Sequence, residues 1–177
     1  WQSVKEYANK RGISVVGDIP IYVATDSADV WADPSQFLLD KRNQPPSVAG
    51  VPPDYFSEDG QMWGNPLYNW DAMKADGYTW WSERIKYMLT LFDGVRIDHF
   101  RGLASFWSVP NGAKTAKEGK WVKGPGRAVI DRLRAVAGDK LIIAEDLGDI
   151  TPDVINLLKY SKFPGMRVFQ FAFLGDR

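Results

Sequence analysis

Three short apolar runs in this sequence each end on a carboxylate, at Asp18, Asp98 and Glu145. Each run follows a helix-like stretch and precedes a loop rich in glycine, proline or aromatic residues. In a β/α architecture, the carboxyl ends of parallel strands converge on one face, and active sites are built there. Acids brought to one rim by separate strands suit nucleophilic and general acid catalysis. Asp98 and Glu145 are therefore the first candidates for catalysis.

Arg96 and Asp98 stand two residues apart on a predicted strand, so their side chains point to the same face. A neighbouring guanidinium lowers the pKa of a carboxyl group and keeps it ionised, as a nucleophile must be at neutral pH. The same pattern also fits a structural ion pair in the core of a barrel. Both interpretations of Asp98 stay open on the spacing alone.

Glu145 ends a strongly apolar run, and Asp146 follows it directly. A low dielectric raises the pKa of a carboxyl group and can keep it protonated, as a general acid requires. The alternative is that Glu145 caps the next helix or pairs with a lysine. Asp146 points to the opposite face unless the strand ends before it.

Metal binding and phosphate binding are the alternatives to catalysis by these carboxylates. The acids Asp18, Asp98, Glu145 and Asp146 are the oxygen ligands that a Mg²⁺ site would use, but Arg96 on the same strand face would repel a cation. Phosphate binding has no support, because the sequence holds no glycine-rich loop of the required form. We therefore expect neither a metal nor a cofactor.

His99 is the single histidine of the chain. No serine stands in a nucleophile-elbow context, so a Ser-His-Asp hydrolase is not expected. His99 directly follows Asp98, and this position suits either the binding of a ligand hydroxyl group or an ordinary structural hydrogen bond. The sequence does not choose between these two roles.

Composition excludes several partners and favours one ligand class. Lysine and arginine together number 22 and balance 22 acidic residues, and without a basic stripe nucleic acid is not an expected partner. The absence of cysteine excludes disulfides and thiolate metal sites and fits a cytoplasmic location. No apolar run approaches the roughly 20 residues of a membrane span. Aromatic residues make up 14%, and they either fill the core or pack against the C–H faces of sugar rings.

The elements that must position these side chains alternate along the chain. We expect strands at 13–17, 95–98, 141–145 and 166–171, separated by helices at 71–92, 126–137 and 151–160. This order predicts an α/β fold with a parallel sheet, and long loops at the carboxyl ends of its strands favour a barrel. The proline- and glycine-rich segment 19–70 predicts a loop-rich insertion over the active face, with short helices of its own.

These elements predict part of a (β/α)8 TIM barrel, with about four strands and the long insertion after the first. Residues 1–177 would then belong to a single catalytic domain, with 19–70 as its inserted subdomain. The chain begins at Trp1 without an initiator methionine and ends just after a strand-like run, so we expect it to be a piece of a larger protein.

Five segments together carry a specific resemblance. They are GDIPIYV at 17–23, VPPDYFS at 51–57, GQMWGNPLY at 60–68, GVRIDHFRG at 94–102 and IAEDLG at 143–148. This set resembles the 4-α-glucanotransferases, the amylomaltases or disproportionating enzymes related to the α-amylase clan. The resemblance covers nearly the whole chain, and it implies a barrel enzyme that acts on α-1,4-glucan and maltooligosaccharides without a cofactor.

The resemblance also implies a role for individual residues. Asp98 matches the catalytic nucleophile of the family, Glu145 its general acid/base, and Arg96 the arginine that supports the nucleophile. Segments that line the sugar subsites contain Asp18, Tyr55, Gln61, Trp63, His99 and Asp146. The segment 43–68 matches the loop that covers the active cleft, and the implied reaction is a retaining double displacement.

One departure qualifies these expectations. The family uses a third carboxylate on a later strand, and that segment would lie beyond Arg177. We therefore expect the 177-residue chain alone to be inactive or nearly so, and its exposed strand edges to favour self-association. The alternatives at this stage are an α-glucan hydrolase, a non-catalytic glucan-binding relative and a metal-dependent barrel enzyme.

Overall fold

Strands and α-helices alternate through much of the computed structural model, which describes residues 1–54 and 57–173. The strands are β1 (Val16–Pro20), β2 (Ser47–Val51), β3 (Gln61–Pro66), β4 (Gly94–Asp98), β5 (Ser105–Pro110), β6 (Lys120–Lys123) and β7 (Leu141–Ala144). The α-helices are α1 (Gln2–Asn9), α2 (Ala28–Ala32), α3 (Trp70–Ala75), α4 (Thr79–Leu91), α5 (Arg127–Ala137) and α6 (Pro152–Ser161). Together they form an α/β fold that contains one parallel and one antiparallel sheet.

The parallel sheet has the order β1-β4-β7, so β4 is its central strand. Asp18 pairs with Arg96 across β1 and β4, which places two charged residues side by side at the same height in the sheet. Buried β-branched residues such as Ile19, Val95 and Ile97 fix these strands in the core. The carboxyl end of β4 therefore lies between the ends of β1 and β7.

The second sheet is antiparallel, with the order β3-β2-β5-β6. The sequence predicted no strands in 19–70 or 99–124, and this prediction is wrong for both segments. Prolines and glycines interrupt them, the strands span only four to six residues, and a bulge between Val48 and Gly50 breaks the register. Strands this short and irregular show little of the alternation from which a sequence predicts them.

The predicted helices form with changed boundaries. The single helix expected at 71–92 is two helices, because Gly77 and Tyr78 both adopt positive φ values, 73° and 59°. Trp81 and Ile85 on α4 are fully buried and fix this helix against the core. On α5, the apolar face is buried or packed against the core and consists of Val129, Ile130, Leu133 and Val136.

Two strand predictions need correction. The run 166–171 is not a fourth strand, because a 3₁₀ helix occupies Phe169–Phe173, and its phenylalanines at 169, 171 and 173 are exposed. Their alternation imitates a strand, but no neighbouring strand pairs with them among the described residues. The first strand begins at Val16 and ends at Pro20, so Asp18 lies inside β1 instead of at its end.

No helix in the described ranges is long and apolar enough to cross a membrane.

Candidate active site

Arg96, on β4, lies at the centre of the site and bridges Asp18 on β1 and Asp98 at the end of β4. Its Nη1 donates to Oδ1 of Asp18 at 2.6 Å, and its Nη2 donates to Oδ1 of Asp98 at 2.7 Å. Burial by itself lowers the pKa of Arg96, but the two carboxylates outweigh burial and raise this pKa above its usual value. The guanidinium is therefore a fixed positive charge that holds the Asp98 carboxylate in one orientation.

A methionine that the sequence did not indicate also contacts Arg96. The Nε of Arg96 lies 3.1 Å from the sulfur of Met166, and the backbone N–H of Met166 donates to Oδ1 of Asp146 at 2.7 Å. Oδ2 of Asp146 lies 3.3 Å from Nη1 of Arg167. Asp146 is buried, and its carboxylate thus holds the turn that presses Met166 against Arg96.

Glu145 follows β7 directly and is buried at 9% exposure. Its Oε2 accepts the backbone N–H of His99 at 2.8 Å, and its Oε1 accepts the backbone N–H of Leu147 at 2.9 Å. The backbone of Glu145 bonds to the neighbouring strand as well, because its N–H donates to the carbonyl oxygen of Ile97 at 3.0 Å. These contacts fix Glu145 beside the end of β4, where Asp98 stands.

His99 adopts a left-handed backbone conformation, with a φ of 57°, as the chain turns away from β4. Its ring meets the ring of Trp63 edge to face, with centroids 4.8 Å apart. Burial, followed by the positive charge of Arg101, lowers the pKa of His99 to about 4, although Asp98 opposes this change. His99 is therefore a neutral side chain at physiological pH.

A cavity of about 400 Å³ opens next to these residues. It brings together three of the predicted substrate-binding residues, Gln61, Trp63 and His99. The indole N–H of Trp63 donates to Oε1 of Gln61 at 3.1 Å, which orients the tryptophan ring. A larger cavity of about 600 Å³ lies around the amino end of β7, and neither Asp98 nor Glu145 lines it.

The remaining predicted residues are placed differently. Asp18 is held by Arg96, Asp146 is turned towards Met166, and Tyr55 lies outside the described residues. The four acids considered for Mg²⁺ do not form a group that could hold a metal, and no such group occurs in residues 1–54 and 57–173.

Sequence reasoning missed two residues that line the cavity, Arg101 and Trp121. Arg101 belongs to the quoted segment GVRIDHFRG, where it follows His99 by two residues, but no spacing rule marked it as part of a site. Trp121 lies on β6, in a segment that was expected to be a loop. Trp121 reaches the cavity through the antiparallel sheet, whereas Arg101 lies in the 3₁₀ helix Phe100–Leu103 that follows β4.

The half-buried, neutral state of His99 predicts a pH effect on stability. As the pH falls from 6.5 towards about 4, the unfolded chain takes up a proton that the folded chain does not, so the free energy of unfolding decreases. The loss is about 3 kcal/mol at most, and it levels off below the folded pKa. We expect the free energy of unfolding, measured with urea, to decrease less between pH 7 and pH 4.5 in His99→Gln than in the parent protein. An equal decrease in both proteins would contradict this origin.

A substitution at Gly165 can test whether the turn that carries Met166 supports Arg96. A Cβ at Gly165 would lie 2.6 Å from Oδ2 of Asp146, a buried carboxylate that the backbone N–H of Met166 holds in place at 2.7 Å. Gly165→Ala should shift Met166 and reduce turnover about tenfold or more, because small misplacements in a site are costly. Gly138→Ala is the control, since its Cβ would meet nothing within 4 Å and its strain is local to a positive φ. Equal turnover in the two variants would argue against the support role.

Comparison with known proteins identifies relatives along the whole chain. The family profile described as 4-alpha-glucanotransferase matches residues 1–177. A 4-alpha-glucanotransferase of Synechocystis is 55% identical over 179 residues, which is 100% of this chain and 35% of that protein. The chloroplastic/amyloplastic 4-alpha-glucanotransferase of Solanum tuberosum is 54% identical over 176 residues, which is 99% of this chain and 31% of that protein.

A solved structure agrees with these sequence matches. The amylomaltase from Streptococcus agalactiae in complex with acarbose superposes with a TM-score of 0.94 at 44% identity, covering 99% of this chain and 35% of that one. The chain thus spans about a third of the length of the relatives it matches. Because the family profile covers all 177 residues, the chain belongs to the 4-α-glucanotransferase family.

Proposed function

We propose that the whole protein transfers segments of α-1,4-glucan to glucose or maltooligosaccharide acceptors by a retaining double displacement. The observation that carries this proposal is the pair of acids at neighbouring strand ends, with Asp98 held by Arg96 and Glu145 held by two backbone N–H groups. Membership in the 4-α-glucanotransferase family supports the same activity.

In the first step, Asp98 attacks the anomeric carbon of a glucose unit. A covalent bond forms between its carboxylate and that carbon, the glycosidic C–O bond breaks, and Glu145 gives its proton to the leaving oxygen. Arg96 holds Asp98 in the orientation for this attack, because its Nη2 donates to Oδ1 of Asp98. The glycosyl-enzyme has inverted configuration at the anomeric carbon.

In the second step, Glu145 acts as a base. It takes the proton from the 4-hydroxyl group of an acceptor, whose oxygen attacks the anomeric carbon, displaces Asp98 and restores the α configuration. Each carboxylate oxygen of Glu145 accepts one backbone N–H and keeps a second lone pair for this proton. A double displacement requires the two carboxyl groups to lie about 5–5.5 Å apart.

Substrate binding is proposed for the residues around the cavity. Trp63 offers an aromatic surface to a sugar ring, and the neutral His99 and Gln61 offer hydrogen bonds to hydroxyl groups. By resemblance, Asp18, Tyr55 and Asp146 belong to the same sugar-binding region. Transfer competes with hydrolysis, so the segment 43–68 over the cleft would exclude water from the glycosyl-enzyme.

The architecture of the whole domain is also a proposal. We place residues 1–177 in one (β/α)8 catalytic barrel, to which the parallel sheet contributes three strands. The inserted subdomain at 19–70 would stand over its active face. A cytoplasmic location, the lack of nucleic-acid or membrane partners, and self-association of the chain alone stay predictions.

One experiment separates the candidate activities. The whole protein is incubated with maltotriose, with and without EDTA, and the products are separated by chain length. Glucose together with a ladder of longer maltooligosaccharides, unchanged by EDTA, supports the glucanotransferase. Only glucose and maltose would indicate a hydrolase, the absence of products a binding protein, and loss of activity in EDTA a metal-dependent enzyme.

A further inference from the structure

Arg101 is a buried arginine that the proposed reaction does not use. It is 3% exposed, and its guanidinium donates hydrogen bonds to the backbone carbonyl of Asp149 and to Oγ of Ser105, the latter at 3.0 Å. Asp149 lies in the loop after β7, and Ser105 begins β5. Arg101 therefore ties the segment after β4 to two other parts of the site.

The same guanidinium lies against a tryptophan. Its central carbon lies over the ring of Trp121, 3.9 Å from the centroid, which is within the range of a cation–π contact. The neighbouring strand fixes the ring as well, because Trp107 on β5 pairs with Trp121 and contacts it edge to face at 5.1 Å. Trp121 is thus held from two directions.

Trp121 nevertheless stays 39% exposed, and it lines the same cavity as Trp63 and His99. A large apolar side chain that is held in place yet left open to a cavity differs from one that fills a core. The part of the indole that Arg101 and Trp107 leave exposed is therefore available to a ligand in this cavity.

We infer that Trp121 is a specificity-determining residue that stacks against a glucose unit of the substrate, and that Arg101 is the positioning residue that holds its ring. This inference rests on the proposed function for the nature of the ligand. Sugar rings present C–H faces of the kind that pack on aromatic side chains. Trp121 and Trp63 would then provide two aromatic surfaces in one cavity, which suits an oligosaccharide better than a single sugar.

The test measures maltotriose disproportionation by the whole protein and by Trp121→Ala and Trp121→Phe. Trp121→Ala should raise KM about 5–10-fold, the effect of a lost aromatic contact, while kcat changes by less than about twofold. Trp121→Phe should recover most of the affinity, since it restores an apolar ring. Trp31→Ala is the matched control, because Trp31 is 85% exposed and lies outside the cavity.

Arg101→Lys tests the positioning role, because lysine keeps the charge but loses the planar group and its fork of hydrogen bonds. It should raise KM about threefold without a matching fall in kcat. A KM for Trp121→Ala no higher than that of Trp31→Ala would overturn the inference. So would a fall in kcat alone, or a failure of Trp121→Phe to restore KM.

Direct binding keeps this inference separate from the proposed function. The affinity of each protein for maltoheptaose is measured by isothermal titration calorimetry, which needs no turnover. Binding that weakens in Trp121→Ala, in a protein that transfers no glucan, would support the inference and contradict the proposed function. Transfer that continues while Trp121→Ala binds and reacts like the parent protein would contradict only the inference.

Discussion

Asp98→Asn is expected to reduce disproportionation of maltotriose by the whole protein about 10⁴-fold or more, as the loss of a covalent nucleophile does in other enzymes. An amide has no negative charge with which to form the bond to the anomeric carbon. It has nearly the shape of the carboxylate, and its oxygen can still accept the N–H of Arg96 that Oδ1 of Asp98 accepts at 2.7 Å. We therefore expect the variant to fold and to bind maltoheptaose.

Asp139→Asn is the matched control for this substitution, because Asp139 is exposed in the turn before β7. It makes the same chemical change before the amino end of β7, the strand that neighbours β4, and it should leave turnover unchanged. A structural ion pair between Arg96 and Asp98 makes a different prediction, in which Asp98→Asn lowers the melting temperature but retains turnover. That outcome would remove Asp98 from the reaction.

The part of the site that could be predicted from the sequence is the part that strand geometry determines. Side chains alternate strictly along a strand, so the two-residue spacing of Arg96 and Asp98 required a shared face, and their 2.7 Å contact confirms it. The short apolar runs likewise predicted the parallel strands, because such a run bounded by turn residues is typical of a strand in a sheet. Asp18 joined the same cluster through its pairing with Arg96 across β1 and β4.

The antiparallel sheet could not be predicted in the same way. Its strands are short, its register is interrupted at Gly50, and β3 is exposed along most of its length, so neither alternation nor a buried run marks it. The contact between Trp63 and His99 depends on this sheet, and so does the approach of Trp121 to Arg101. A resemblance to a family could name Trp63 and His99, but only three-dimensional pairing brings them together.

The partners of Asp146 could not be predicted from the local sequence either. Strand alternation predicts only the direction in which its side chain leaves the backbone, and the strand already ends at Ala144. The partners of Asp146 come from a turn 20 residues later, where Met166 and Arg167 donate to its carboxylate. No periodic pattern relates these positions. The chain therefore encodes the support of Arg96 through a contact that sequence spacing cannot reveal.

Glu145→Gln is expected to separate the two steps of the reaction. The amide cannot protonate the leaving oxygen of maltotriose, so turnover of this substrate should fall about 10²–10⁴-fold. α-Maltosyl fluoride carries a leaving group that needs no proton, and with this donor the attack by Asp98 should proceed. Deglycosylation lacks its base, so a covalent maltosyl ester of Asp98 should accumulate and be detected by intact-protein mass spectrometry.

The structure also predicts a stability cost for this variant. Both oxygens of Glu145 accept backbone N–H groups, so the amide nitrogen of glutamine would face either His99 N–H or Leu147 N–H, a donor against a donor. One lost buried hydrogen bond of this kind costs about 1–3 kcal/mol. A low turnover of maltotriose alone would therefore not distinguish a missing acid from a damaged site, whereas formation of the ester requires a folded site.

The double variant Asp98→Asn, Glu145→Gln provides the control, since it should form no ester with α-maltosyl fluoride. Azide needs no general base, so its addition should restore turnover of the fluoride by Glu145→Gln and release α-maltosyl azide, with the configuration retained. Release of the β-azide without an ester would indicate a single displacement. Such a mechanism needs the two carboxyl groups about 6.5–9.5 Å apart, and it would exclude Asp98 as the nucleophile.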